Sequence, residues 1–125
     1  MSENAINIMI VEDEVLIGLM LTKNLRSSGY TVCEVVTTGE EAIARVEVNQ
    51  PDVILMDVTL AGEMNGIEAT KKIKAEHDVS VIIFSGYNDI SFLEQALEAG
   101  PVAVLEKLGP FSDIIAAIEK AVGRN

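Results

Sequence analysis

The feature that most constrains the fold is a regular alternation of short apolar runs with segments of helical periodicity. Five apolar runs, most of them rich in Val and Ile, occupy residues 6–11, 30–36, 53–56, 81–84 and 102–105. Runs this short are typical of β-strands. Three of them are continuous rather than alternating, which is typical of strands covered on both faces in a parallel sheet.

The segments between the runs carry apolar residues at helical spacing. In chain order, these residues are Leu16, Met20, Leu21 and Leu25; Ala42, Ile43 and Val46; Ile67, Thr70 and Ile73; Leu93, Ala96 and Leu97; and Ile114, Ile115, Ile118, Ala121 and Val122. Thr38 and Glu41 predict a capping box at the start of the second helix. Strands alternating with helices predict an α/β fold, a (βα)5 flavodoxin-like three-layer sandwich with a parallel five-stranded sheet of order 2-1-3-4-5.

Length and charge restrict the classes of function. A chain of 125 residues suits one domain, so we expect residues 1–125 to form a single domain without an output domain. The 20 acidic against 9 basic residues give a net charge of −11, which argues against direct nucleic-acid binding and against anionic membrane surfaces. The single Cys cannot close an internal disulfide, and no signal or membrane-spanning segment is visible. We therefore expect a cytoplasmic protein.

Polar residues follow the predicted strands, where ligands bind in open α/β sheets. They are Glu12, Asp13 and Glu14; Thr37, Thr38 and Gly39; Asp57; Ser85 and Gly86; and Glu106 and Lys107. Acids ahead of a helix also stabilise its N-terminus, and Lys107 also suits a purely structural partner for a partly buried Asp57. These simpler interpretations remain open for each residue taken singly.

The combination of these residues indicates more specific chemistry. In the order 2-1-3-4-5, Asp13 and Asp57 lie at neighbouring strand ends, where two carboxylates repel each other. A hard divalent cation with oxygen ligands, Mg²⁺ or Mn²⁺, relieves that repulsion. Lys107 supplies a positive charge and Ser85 a hydroxyl donor for an added anion. This set of groups predicts phosphoryl transfer to Asp57.

Five short motifs occur in order, at residues 10–14 (IVEDE), 53–57 (VILMD), 65–69 (NGIEA), 84–87 (FSGY) and 105–107 (LEK). They give the sequence a resemblance, over residues 7–122, to the receiver domain of two-component response regulators. It implies that Asp57 is the phosphoacceptor for a phosphohistidine. It also implies that Asp13 binds Mg²⁺ directly, Glu12 through water, and Thr59 through its backbone carbonyl.

The resemblance assigns further roles around the phosphoryl group. Lys107 matches the lysine that pairs with the phosphoryl oxygens, and Ser85 the hydroxyl that moves toward the acyl phosphate. Gly86 is placed beside the phosphoryl group, and Thr59 and Tyr87 match variable positions that influence its lifetime. The implied partners are a sensor histidine kinase or histidine phosphotransfer protein and a downstream protein, and a phosphorylation-dependent homodimer is allowed. The chain is not expected to be an enzyme beyond transfer to and loss from its own Asp.

The sequence departs from the family pattern at three positions. Val104 stands where an aromatic switch residue is usual, Leu108 where Pro usually follows the Lys, and Ala61 where Pro is common. A cis bond before a non-Pro residue is costly, so we expect a trans bond after Lys107. These departures bear on how a signal reaches the surface of helix 4, strand 5 and helix 5. They leave open the alternative that the chain is a receiver-like interaction module that is not phosphorylated.

Two other classes of protein fit the sequence less well. A flavodoxin-like cofactor binder shares the sheet order, but the acids after the first strand are the wrong charge for its phosphate loop. A hydrolase with a transient Asp57 nucleophile needs a second acid just after it, and Val58 and Thr59 do not offer one.

Overall fold

The computed structural model describes residues 5–86 and 92–123. Strands and helices alternate throughout, as β1 (Asn7–Val11), α1 (Val15–Ser27), β2 (Thr31–Val36), α2 (Gly39–Asn49), β3 (Val53–Asp57), α3 (Gly66–Glu76), β4 (Ser80–Ser85), α4 (Leu93–Glu98), β5 (Ala103–Glu106) and α5 (Phe111–Ala121). All strands are parallel, in the order β2-β1-β3-β4-β5. The predicted fold class and strand order are confirmed.

The central strands explain why the apolar runs are continuous. Every residue of β3 is buried. Ile54 and Met56 pack into the core layer that also holds α2 and α3 residues, whereas Val53 and Leu55 pack into the layer with α1 and α5 residues. Successive side chains of a strand point to opposite faces, so a sheet covered by helices on both sides needs an apolar residue at every position.

The predicted apolar stripe of α1 is wrong at two positions. Leu16 is 80% exposed and Met20 49% exposed, whereas Gly18, Leu21 and Leu25 are buried. The 3.6-residue turn places Leu16 and Met20 on the side opposite Gly18. Gly18 faces the sheet so closely that a Cβ on it would lie 3.2 Å from Val35 Cγ1. The glycine, which a hydropathy pattern does not count as apolar, marks the packed face.

Side chains cap the N-termini of α2 and α3 at the carboxyl edge of the sheet. Thr38 Oγ1 accepts from the Glu41 N–H at 3.0 Å, but the Glu41 carboxylate accepts from the N–H of Thr37 instead of Thr38. Only half of the predicted capping box is therefore formed. A complete box, not predicted, lies at the start of α3, where Asn65 and Glu68 cap each other. It holds the β3–α3 loop where that loop returns to the sheet.

No helix in the described part of the chain is long and apolar enough to cross a bilayer.

Candidate functional site

The carboxyl ends of β1, β3 and β5 bring an acid pair and a lysine together. Asp57 ends β3 and is only 1% exposed, and the Nζ of Lys107 lies 2.8 Å from its Oδ2. Lys107 follows β5, and its own N–H donates to the carbonyl of Ser85 at 3.0 Å, which ties the β5 end to the β4 end. A buried carboxylate is costly unless paired, and Lys107 supplies the paired charge.

Lys107 also pairs with two acids that follow β1. Its Nζ lies 3.4 Å from Glu12 Oε2 and 3.3 Å from Glu14 Oε1. Glu12 is buried, whereas the Glu14 side chain is 62% exposed. Sequence reasoning counted Glu14 among the acids after the first strand but gave it no place in the site. Its contact with Lys107 joins the segments that follow β1 and β5, two strands that β3 and β4 separate in the sheet, and no local sequence pattern reports such a contact.

Three carboxylates form a cluster suited to a cation. Glu12, Asp13 and Asp57 each offer one oxygen, and these oxygens lie within 4.8 Å of one another. Asp13 is partly exposed, so the cluster is open to solvent on one side. Hard oxygen ligands with room for water are what Mg²⁺ prefers. The residues present therefore fit the predicted metal.

Other predicted site residues lie at or just after the ends of β3 and β4. The Thr59 N–H donates to Asp57 Oδ1 at 3.3 Å. Ser85 ends β4, and its hydroxyl donates to the Gly86 carbonyl at 3.4 Å. Ser85, Gly86 and Lys107 line one open cavity of about 300 Å³. Tyr87 lies outside the described residues.

Burial shifts the pKa values of the site. Desolvation is the main cause that raises the pKa of Glu12 to about 7, and the nearby Asp57 charge adds to it. Desolvation also raises the pKa of Asp57, although Lys107 opposes the shift. Burial works to lower the pKa of Lys107, but its hydrogen bond to Asp57 and the charges of Asp57 and Glu12 hold that pKa above its ordinary value. Lys107 is therefore a permanent cation.

The Glu12 shift predicts that the metal-free protein loses stability as pH rises from about 5 to about 8. The ordinary pKa of 4.5 applies to the unfolded chain and about 7 to the folded one. In between, the folded state holds a proton that the unfolded state has released, so raising the pH favours unfolding, by roughly 2 kcal/mol in all. Urea unfolding in EDTA across this pH range measures how the free energy of unfolding changes with pH.

Glu12→Gln should flatten this profile, because the amide does not titrate. Glu119→Gln, an exposed position on α5, is the control and should keep the wild-type slope. A wild-type stability that increases with pH over this window, or a Glu12→Gln profile as steep as wild type, contradicts the assignment.

Leu108 and Val104 occupy two of the positions at which the sequence departs from the family pattern. The peptide bond between Lys107 and Leu108 is trans, as expected. The Gly109 N–H donates to the Glu106 carbonyl at 3.1 Å and closes a tight turn, and Leu108 projects into solvent at 81% exposure. Val104 is half-buried and packs against the core layer on the α2–α3 side. Val104 thus places a short aliphatic side chain at the position where the family pattern has an aromatic residue.

Gly66 supports the site in a way that sequence reasoning missed. A Cβ built on it would overlap the backbone oxygen of Asp57 and lie 2.8 Å from the Asp57 carbonyl carbon. The Gly66 N–H also donates to the Val58 carbonyl at 2.8 Å. Glycine is therefore required for the first turn of α3 to lie against the backbone of Asp57. The NGIEA motif contains Gly66, but the motif alone does not show that Gly66 lies against the backbone of Asp57.

The fold and this site define a class of protein. It is a flavodoxin-like α/β sandwich with a buried Asp–Lys pair and an acid cluster at the carboxyl ends of its parallel strands. Comparison with known proteins makes the class specific: the family model of the response regulator receiver domain matches residues 8–119. The chain belongs to the response regulator receiver domain family of two-component systems.

Individual relatives agree with this assignment. The chain is 34% identical over 117 residues to the transcriptional regulatory protein PdtaR of Mycobacterium tuberculosis, covering 94% of this chain and 57% of that protein. It is 31% identical over 114 residues to the chemotaxis protein CheY of Thermotoga maritima, covering 90% of this chain and 94% of that protein. The chain thus spans little more than half of PdtaR but nearly all of CheY.

The structural comparison gives the same result. The signal receiver domain of a modulated diguanylate cyclase from Desulfovibrio desulfuricans G20 superimposes with a TM-score of 0.88 at 28% identity, covering 95% of this chain and 94% of that one. Receiver domains interact with histidine kinases and downstream effectors, and the family binds Mg²⁺ at an acidic pocket. This chain has an acid cluster of Glu12, Asp13 and Asp57 at the carboxyl edge of its sheet.

Proposed function

We propose that Asp57 accepts a phosphoryl group from a phosphohistidine of a sensor histidine kinase or histidine phosphotransfer protein. The observation that carries the proposal is the buried Asp57 carboxylate, held 2.8 Å from Lys107 and within 4.8 Å of the Glu12 and Asp13 oxygens. A site with one buried nucleophile, a permanent cation and a cluster of oxygen ligands suits phosphoryl transfer, in which positioning and charge neutralisation do most of the catalysis.

The step exchanges one bond to phosphorus for another. An Asp57 carboxylate oxygen forms a P–O bond while the P–N bond of the phosphohistidine breaks. The electron pair of that bond goes to the imidazole nitrogen, and the ring leaves as neutral imidazole because its other nitrogen already carries a proton. Lys107 exchanges part of its contact with Asp57 for the phosphoryl oxygens, since an ammonium has three protons to donate.

Neighbouring groups complete the anion site in this proposal. The Ser85 hydroxyl turns from the Gly86 carbonyl toward the phosphoryl group, and the Thr59 N–H, already directed at Asp57, donates to the same region. Thr59, Gly86 and Tyr87 contact the phosphoryl group or influence its lifetime in this proposal, as the family resemblance implies. The chain itself acts as acceptor and not as an enzyme on other substrates.

The metal site of the proposal consists of Asp13, Asp57, Glu12 and the Thr59 backbone carbonyl. When bound, Mg²⁺ offsets the negative charge of the carboxylates and of the phosphoryl oxygens. Asp13, the more exposed acid of the cluster, provides the ligand nearest to solvent. Glu12 must lose its proton for full ligand strength, and the metal favours that loss.

The proposed output is a protein contact at the surface formed by α4, β5 and α5. Leu93 and Leu97 of α4 are exposed. Val104, on the adjacent strand, offers no ring to move when Ser85 turns, so the signal reaches this surface through backbone and packing changes. The contact is with a downstream protein or, after phosphorylation, with a second copy of the chain. The acidic surface suits a protein partner, and neither nucleic acid nor a membrane is proposed as a partner.

The test is incubation of the protein with acetyl phosphate and Mg²⁺, followed by intact mass spectrometry. One added phosphoryl group is expected with Mg²⁺, and none with EDTA. Beryllofluoride with Mg²⁺ should perturb the backbone amide resonances at the ends of β3 and β4. An unmodified and unperturbed protein in both experiments contradicts the proposal.

Asp13→Asn is expected to weaken Mg²⁺ binding by about tenfold or more, because an amide oxygen replaces an anionic ligand. An NMR titration with Mg²⁺ measures the affinity. Asp113→Asn, an exposed acid in the first turn of α5, is the control and should bind like wild type. Equal affinity of Asp13→Asn and wild type places the ion elsewhere.

A further inference from the structure

Glu14 is the one acid paired with Lys107 that faces solvent. Its Oε1 lies 3.3 Å from Lys107 Nζ with the side chain 62% exposed, whereas Glu12 and Asp57, the other two partners, are 4% and 1% exposed. Its own backbone is held in place, since the Glu14 N–H donates to Glu12 Oε2 at 3.0 Å. The chain therefore places a carboxylate on the open side of the cation that is to receive an anion.

Glu14 lies beside Lys107 in an open cavity that leads to the ammonium group. Glu14, Lys107, Ser85 and Gly86 line the same open cavity of about 300 Å³. An anion that approaches Lys107 through this cavity meets a carboxylate first. It must either separate Glu14 from the ammonium or share the ammonium with it.

We infer that Glu14 is a positioning residue that holds Lys107 at the mouth of the site and discriminates among phosphodonors by their charge. The inference rests on the proposed phosphorylation of Asp57 and adds a determinant of its rate. In the resting protein, Glu14 occupies one of the three donor directions of Lys107. When the phosphoryl group arrives, that direction is released to a phosphoryl oxygen. The more negative the donor, the more Glu14 opposes its entry.

Glu14→Gln should therefore react faster with an anionic donor. The amide has the shape of the carboxylate but removes its charge and its competition for the ammonium. For a pair this exposed, the expected gain is about twofold to fivefold in the second-order rate constant with acetyl phosphate. A smaller gain is expected with phosphoramidate, which carries less net negative charge, and both gains should shrink at high salt.

The matched control is Glu106→Gln. Glu106 is an exposed acid that lines the same cavity, and the ion pairs of Lys107 in the described residues are with Glu12, Glu14 and Asp57. This variant removes the same charge without removing a partner of Lys107. Rates are measured for each variant at saturating Mg²⁺, so that a change in metal affinity does not enter the comparison.

A second readout needs neither metal nor donor. The ¹⁵N resonance of the Lys107 ammonium in the metal-free protein should shift in Glu14→Gln and stay in place in Glu106→Gln. An unchanged resonance together with wild-type rates in Glu14→Gln overturns the inference while leaving phosphorylation of Asp57 intact. Equal acceleration by Glu106→Gln also overturns it, because the effect is then general electrostatics. A wild-type protein that acetyl phosphate does not modify overturns the proposed function, and this inference with it.

Discussion

Asp57→Asn is expected to abolish phosphoryl transfer to the protein while leaving it folded. The amide has nearly the shape of the carboxylate, and its oxygen can still accept from Lys107, which lies 2.8 Å from Oδ2 in the wild type. It is not a competent nucleophile, because it carries no negative charge. After incubation with acetyl phosphate and Mg²⁺, intact mass should show one added phosphoryl group in wild type and none in the variant.

The control for this experiment is Asp78→Asn, which changes an exposed acid ahead of β4 and should be labelled like wild type. Thermal unfolding of both variants verifies that each is folded. Labelling of Asp57→Asn at the wild-type level would move the acceptor to another residue. Labelling of neither wild type nor variant would leave a receiver-shaped module that does not use this chemistry.

Gly66→Ala is expected to destabilise the protein by about 3 kcal/mol, because the added methyl group cannot be accommodated without moving the backbone. It would overlap the backbone oxygen of Asp57 and lie 3.0 Å from Met56 Cγ. Both neighbours belong to β3, whose residues are all buried, so neither has free space to enter. A fall of roughly 10 °C in Tm corresponds to this destabilisation.

Phosphorylation is a second readout for Gly66→Ala. The variant shifts the backbone of Asp57, so the labelling rate with acetyl phosphate should fall even below the unfolding temperature. Gly109→Ala is the matched control: the nearest atom to its added Cβ is the Glu106 oxygen at an ordinary 3.4 Å, and its backbone conformation suits alanine. Wild-type stability in Gly66→Ala would mean that α3 can move away from β3 at little cost.

The hydropathy pattern predicted the helices and strands well, because the spacing of apolar residues along an element depends only on residues that are close in sequence. The five apolar runs coincide with the strands to within a residue or two at each end. Asp57 and Lys107 were identified because each follows an apolar run, and strand ends meet at one edge of a parallel sheet. The half-formed box at Thr38 and the complete one at Asn65 mark the limit of this reasoning, since the identity of a capping partner depends on loop geometry.

The order of strands and helices, the acid pair and the position of Asp57 were therefore encoded locally, in the period of apolar residues and in the residues that follow each run. The packed face of α1, the approach of Gly66 to Asp57 and the pairing of Glu14 with Lys107 were decided only by tertiary structure. Each depends on which distant backbone lies within a few ångströms, and that distance is set by the packing of helices on the sheet. The same packing removes water from Asp57 and Glu12 and so raises their pKa values.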